Sequence, residues 1–123
     1  MTKRILVVED TEDNRKIVRD LLTSVGYELV EAVDGGEGVA MAQSERPDLI
    51  LMDIQLPVID GYEATRRIRA IPELAAVPII AVTSYALSGD EAKTRAAGCT
   101  GYVAKPFSPR QLLAKIREFL PET

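Results

Sequence analysis

The chain of 123 residues has room for one domain built on a single hydrophobic core, residues 1–123. Apolar residues at 46% and charged residues at 28% exclude disorder and low complexity, and a net charge of −4 argues against a nucleic-acid surface, which needs clustered Lys and Arg. One cysteine and no histidine exclude internal disulfides, Cys-cluster or His-ligated zinc, and Ser-His-Asp or Cys-His catalysis.

The opening MTKRILVVED turns acidic too early for a signal peptide. No apolar stretch approaches the roughly 20 residues of a membrane span, so the cytoplasm is the expected compartment and no membrane partner is expected. RILVVE (4–9) predicts the first strand. The first helix follows, with Ile17, Val18, Leu21, Leu22 and Val25 placed on one stripe and Gly26 as its C-terminal cap. YELVEA (27–32) predicts the second strand. DGGEGVAM (34–41) opens the second helix; it lacks the third glycine of a dinucleotide fingerprint and the Lys-Ser/Thr of a P-loop, which argues against a nucleotide site.

DLILMD (48–53) is the third strand, and Asp60 with Glu63 fits a capping box for the third helix, whose Arg66, Arg67 and Arg69 are expected on its exposed face. PIIAVTS (78–84) is the fourth strand. Ser88 with Glu91 fits a capping box for the fourth helix, which Gly98 ends. The apolar side of that helix is only Ala92, Ala96 and Ala97, so it should be among the weakly held elements. Cys99 reads as a small buried hydrophobe. GYVAK (101–105) is the fifth strand, and the last helix starts at the Ser108–Gln111 capping box with Pro109 as its first residue. Its stripe is Leu112, Leu113, Ile116, Phe119 and Leu120. Three of the strands are nearly continuous apolar runs, as strands covered on both faces should be. Strand and helix in alternation imply an α/β fold with a parallel sheet and helices on both faces.

In such sheets, sites form outside the carboxyl ends of the strands. Those ends carry Glu9 and Asp10, Asp53, Thr83 and Ser84, and Lys105. Two carboxylates about 4 Å apart repel by roughly 4 kcal/mol at an effective dielectric of about 20, so a cluster of three needs a cation. Mg²⁺, or Mn²⁺ in its place, suits an all-oxygen site that keeps waters and takes a phosphate oxygen. Carboxylate, Mg²⁺ and lysine together are the equipment of phosphoryl transfer, in which a carboxylate can be the nucleophile. Asp53 is the candidate acceptor. The rival reading is a flavin or nucleotide enzyme on the same topology, which bound flavin would betray by its colour.

LVVED (6–10), LILMDIQLPVIDGYE (49–63), AVTSYA (81–86) and AGCTGYVAKPF (97–107) resemble, in order and spacing, the CheY-like receiver domain of two-component response regulators. GDEAKTRAAGC (89–99) is most similar to stand-alone and hybrid-kinase receivers. The resemblance implies a flavodoxin-like sheet of order 2-1-3-4-5. It implies that Asp53 takes a phosphoryl group from a phosphohistidine on a histidine kinase or histidine phosphotransfer protein, catalysing that transfer and its slow hydrolysis itself. Glu9, Asp10 and the backbone carbonyl of Gln55 would hold the metal with Asp53. Lys105 would pair with Asp53 or the phosphoryl oxygens, the Lys105–Pro106 bond would be cis, Thr83 would bind a phosphoryl oxygen, and Tyr102 would turn inward as Thr83 moves. Gln55 and Tyr85 would tune the lifetime of the phosphorylated form. The expected partner-reading face is the fourth helix, fifth strand and fifth helix, with output through partner binding or onward transfer.

Overall fold

A computed structural model describes residues 2–83 and 90–120. Strands β1 (Arg4–Val8), β2 (Glu28–Ala32), β3 (Leu49–Asp53), β4 (Ile79–Thr83) and β5 (Gly101–Ala104) form one parallel sheet in the order β2-β1-β3-β4-β5. Each strand lies within one residue of its predicted bounds. The ladder stops where the chain turns away. Glu9 still donates its N–H to the Ala32 carbonyl at 3.0 Å, and Lys105 donates to Thr83 at 2.6 Å.

β3 and β4 are buried along their whole length, which is why their sequences read as uninterrupted apolar runs. β2, at the sheet edge, is half-exposed and carries glutamates. Alternate residues feed two cores. Leu6, Val8, Ile50 and Met52 pack with Ala42, Ala64 and Ile68 from helices α2 (Gly35–Glu45) and α3 (Gly61–Arg69). Ile5, Val7, Leu49 and Leu51 pack with Val18, Leu22, Leu112 and Ile116 from α1 (Glu12–Ser24) and α5 (Pro109–Phe119). Helix α4 (Asp90–Ala97) packs beside α3.

Three sequence expectations are corrected. The buried stripe of α1 is Arg15, Val18 and Leu22, whereas Ile17 is 62% and Val25 41% exposed. One residue on a helix is about 100° of rotation, so Ile17 cannot share the inward direction of Val18 when Leu22 already does. Arg69 is half-buried rather than on the exposed face with Arg66 and Arg67; it donates to the carbonyls of Gly98 at 2.8 Å and Leu74 at 3.0 Å. Burial lowers its pKa. On α4, Ala92 and Ala96 are exposed, and the buried positions among its described side chains are Thr94 and Ala97. This helix therefore buries even less apolar surface than its sequence suggested.

The caps follow the predicted residues with one difference. Ser108 and Gln111 form both arms of a capping box, at 2.8 and 3.1 Å. Asp60 accepts from the Glu63 N–H at 2.9 Å, but the Glu63 carboxylate turns instead to Arg66 and Arg67. The cap expected from Ser88 lies outside the described residues. Gly26, at φ 96°, and Gly98, at φ 114°, both close Schellman ends, with Tyr27 N–H returning to Leu22 and Cys99 N–H to Thr94. A short 3-10 turn, Pro72–Leu74, was not predicted. Asp34 caps α2 through the Glu37 N–H at 2.8 Å, so a carboxylate already occupies the helix end that a phosphate loop would leave open. Cys99 is buried as expected, its thiol pKa raised by burial.

Gly61 opens α3 directly over the end of β3, its N–H bonded to the Ile54 carbonyl at 2.9 Å. A Cβ there would overlap the carbonyl oxygen of Asp53 and lie 2.6 Å from the Ile54 Cα, backbone that cannot swing aside. Gly61→Ala is therefore expected to cost about 1–3 kcal/mol in denaturant unfolding, in the range of core overpacking. An unchanged midpoint would show that the β3–α3 turn has room to spare.

Candidate functional site

The sheet order places the carboxyl ends of β1 and β3 side by side, with β5 approaching through its following loop. Glu9, Asp10 and Asp53 each offer a carboxylate oxygen within 4.8 Å of the others. Glu9 and Asp53 are 6% and 4% exposed, while Asp10 faces solvent. The ammonium of Lys105 lies 2.9 Å from Glu9 and 3.4 Å from Asp53. The closer partner is thus Glu9, not Asp53.

Local backbone fixes these groups. Asp53 Oδ1 accepts the Gln55 N–H at 3.1 Å, leaving Oδ2 toward Lys105. Glu9 accepts from the Thr11 N–H at 3.1 Å and from Asn14 Nδ2 at 3.3 Å. Asn14 was not singled out in the sequence, and its place in the first turn of α1, just after the acid pair, is the signal that could have found it. The Lys105–Pro106 peptide is cis, as the family resemblance implied. Glu9, Asp53 and Lys105 line one end of an open cleft of about 540 Å³, whose other walls are apolar, among them Val18, Leu51 and Phe107.

The loop after Asp53 is held tightly. Val58 stands at φ 70° and is 88% exposed, at the centre of a turn in which Ile59 N–H bonds Pro57 at 2.8 Å. A β-branched residue in this region costs on the order of 1–3 kcal/mol. The register of β4 and β5 pairs Ala81 with Tyr102 and Thr83 with Ala104, so Thr83 and Tyr102 share one face of the sheet. Thr83 is 1% exposed and Tyr102 half-buried. Ser84 and Tyr85 lie outside the described residues.

The electrostatics of the cluster follow from burial and one ammonium. Burial raises the pKa of Asp53, and the charge of Glu9 adds to it; Lys105 and the Gln55 N–H only partly oppose them, leaving it at about 6. Burial also acts upward on Glu9, but Lys105, the Thr11 N–H and Asp10 outweigh it and hold that carboxyl below its ordinary value. Asp10 is raised, first by its hydrogen bond with Glu9. Burial acts to lower Lys105, and its contacts with Glu9 and Asp53 overcome this and raise it. The described carboxylates outnumber the ammonium three to one, which suits a divalent cation with oxygen ligands.

These shifts set a pH dependence. Without metal, the folded state keeps the Asp53 proton up to about pH 6, while the unfolded chain releases it near 3.8. The folded state binds more protons in that interval, so this contribution to stability is lost as pH rises through it. Asp53→Asn removes the ionisation. At pH 7 in chelator the variant should be more stable than the parent by roughly 3 kcal/mol. The difference should vanish near pH 4, measured as paired thermal melts. A parent at least as stable as the variant at pH 7 would contradict the raised Asp53.

A sequence model of the response regulator receiver domain matches residues 5–117. The polar-differentiation response regulator DivK of Brucella ovis is 43% identical over 120 residues, covering 98% of both chains. Among solved structures, the receiver domain of the Pseudomonas aeruginosa sensor histidine kinase PA1611, described with a magnesium ion in its active-site cleft, superposes with a TM-score of 0.91 at 41% identity, covering 99% of this chain and 100% of that one. Chemotaxis protein CheY4 of Vibrio cholerae superposes at 0.92 with 32% identity, covering 97% and 99%. Shared fold, matched motifs and full-length coverage agree: the chain belongs to the response regulator receiver domain family.

Proposed function

We propose that this receiver is a Mg²⁺-dependent phosphoacceptor that takes a phosphoryl group onto Asp53 and answers by changing its protein contacts. The observation that carries the reading is Asp53 itself. It is a buried carboxylate flanked by two further acids, with a lysine ammonium 3.4 Å from its Oδ2. The donor would be a phosphohistidine on a histidine kinase or histidine phosphotransfer protein, since this chain has no histidine of its own. An Asp53 oxygen attacks phosphorus, the N–P bond of the donor breaks, and the released imidazole takes up a proton.

Glu9, Asp10, Asp53 and the Gln55 carbonyl would hold Mg²⁺, which supplies charge neutralisation at the phosphoryl oxygens. Lys105 orients Asp53 before transfer and stabilises an equatorial oxygen during it. Thr83 donates its hydroxyl to a phosphoryl oxygen, and Tyr102, on the same face, follows it. The partner-reading face is α4, β5 and α5, supported by how little apolar surface α4 buries. A signalling role rather than an enzyme's is supported by the regulators it resembles, whose length it spans to 98%. Among the described residues, no helix is long and apolar enough to cross a membrane. A cytoplasmic setting fits the proposed donors.

Incubation with Mg²⁺ and acetyl phosphate should add one phosphate-sized mass to the parent and none to Asp53→Asn. Mass gained equally by the variant would place the acceptor elsewhere. A charge-assisted hydrogen bond from Thr83 is worth about 1.5–3 kcal/mol, enough to bias a two-state face about tenfold to a hundredfold. With beryllium fluoride as phosphoryl mimic, amide shifts should therefore reach residues 90–104 in the parent and stay near Asp53 and Lys105 in Thr83→Ala. Identical shift maps would remove Thr83 from the switch.

A further inference from the structure

Arg15 is the only charged residue of α1 that is buried, at 9% exposure. Its Nη1 donates to the Glu9 backbone carbonyl at 2.7 Å and its Nη2 to the Glu12 carboxylate at 2.5 Å, while Nε lies 3.4 Å from Glu31. Glu31 and Glu12 are also gripped by Arg19, at 2.7 and 3.1 Å. Tying α1 to β2 needs only that outer pair, and Arg19 makes it from a side chain left 34% exposed. Arg15 does something Arg19 does not: it reaches the carbonyl at the point where β1 ends.

That carbonyl belongs to the peptide joining Glu9 to Asp10, the two acids of the first strand. The preceding peptide is fixed separately, by the Glu9 N–H on Ala32 at 3.0 Å. With both peptides held, and the next one held by the Thr11 N–H on the Glu9 carboxylate at 3.1 Å, the directions in which the Glu9 and Asp10 side chains leave the chain are set before any ion arrives. The planar fork of a guanidinium can hold a carbonyl and a carboxylate at once; a lysine ammonium lacks that fixed geometry.

We infer that Arg15 is a positioning residue for the metal and phosphoryl site, orienting the Glu9–Asp10 peptide so that both carboxylates meet Asp53. The inference rests on the Mg²⁺-dependent reading above. Its test uses the full unphosphorylated chain and Mg²⁺ alone, followed by amide shifts in an NMR titration, with thermal melts in chelator confirming that each variant is folded. Arg15→Met and the charge-conserving Arg15→Lys should each raise the Mg²⁺ Kd about tenfold or more, the scale on which partners behind metal ligands act. Arg19→Gln, which removes the neighbouring ion pairs and no contact to Glu9, should leave Kd within about twofold. A folded Arg15 variant that binds Mg²⁺ as the parent does overturns the inference while leaving the phosphoacceptor reading intact. Equal weakening by Arg19→Gln overturns it too, because the effect would then belong to the α1–β2 tie. A parent that fails to bind Mg²⁺ overturns both.

Discussion

The molecule is organised around a carboxylate that its surroundings make expensive. Asp53 ends a strand buried from Leu49 onward, stands beside Glu9, and shares a single ammonium with it. Burial and like charge act against ionisation, and Lys105 cannot satisfy two acids fully. An excess of negative charge held at the carboxyl ends of neighbouring strands suits a divalent cation with oxygen ligands.

Apart from Lys105, what holds the acids in place is the backbone and residues placed behind them. The Gln55 and Thr11 amides fix the carboxylates, Gly61 lets α3 start directly above Asp53, and Arg15 fixes the turn that carries Glu9 and Asp10. A parallel sheet makes this economical, because every strand delivers its carboxyl end to the same edge. The loops can then carry chemistry while the strands carry stability.

The helices are not held equally. α1 and α5 bury Val18, Leu22, Leu112 and Ile116 against β1, β3 and β4. Among its described side chains, α4 offers only Thr94 and Ala97 to the interior, and its C-terminal end is tied down by the Arg69 guanidinium on Gly98. Elements with little buried apolar surface are the ones that a local change of a few kcal/mol can shift. Thr83 and Tyr102, sharing one face through the β4–β5 register, are suitably placed to link the acid edge to that side of the molecule.

The strands, most caps and the identity of the acids were legible in the sequence because they depend on local rules: period, turn chemistry and strand-end position. The order β2-β1-β3-β4-β5 and the cis bond came from family resemblance, since spacing does not encode strand neighbours. Helix-facing directions were legible only in part. Arg15, Val18 and Leu22 are spaced as an inward stripe, but a guanidinium in that stripe looks solvated until a buried carbonyl and carboxylates are seen to receive it. Arg69 was misjudged for the same reason, its acceptors being carbonyls of another helix and a turn. By itself the sequence determined which residue types stand at each strand end, because alternation and burial constrain neighbours along the chain. Only the tertiary structure decided that Lys105 reaches across 96 positions to Glu9 more closely than across 52 to Asp53, because that choice depends on which strand edges lie side by side.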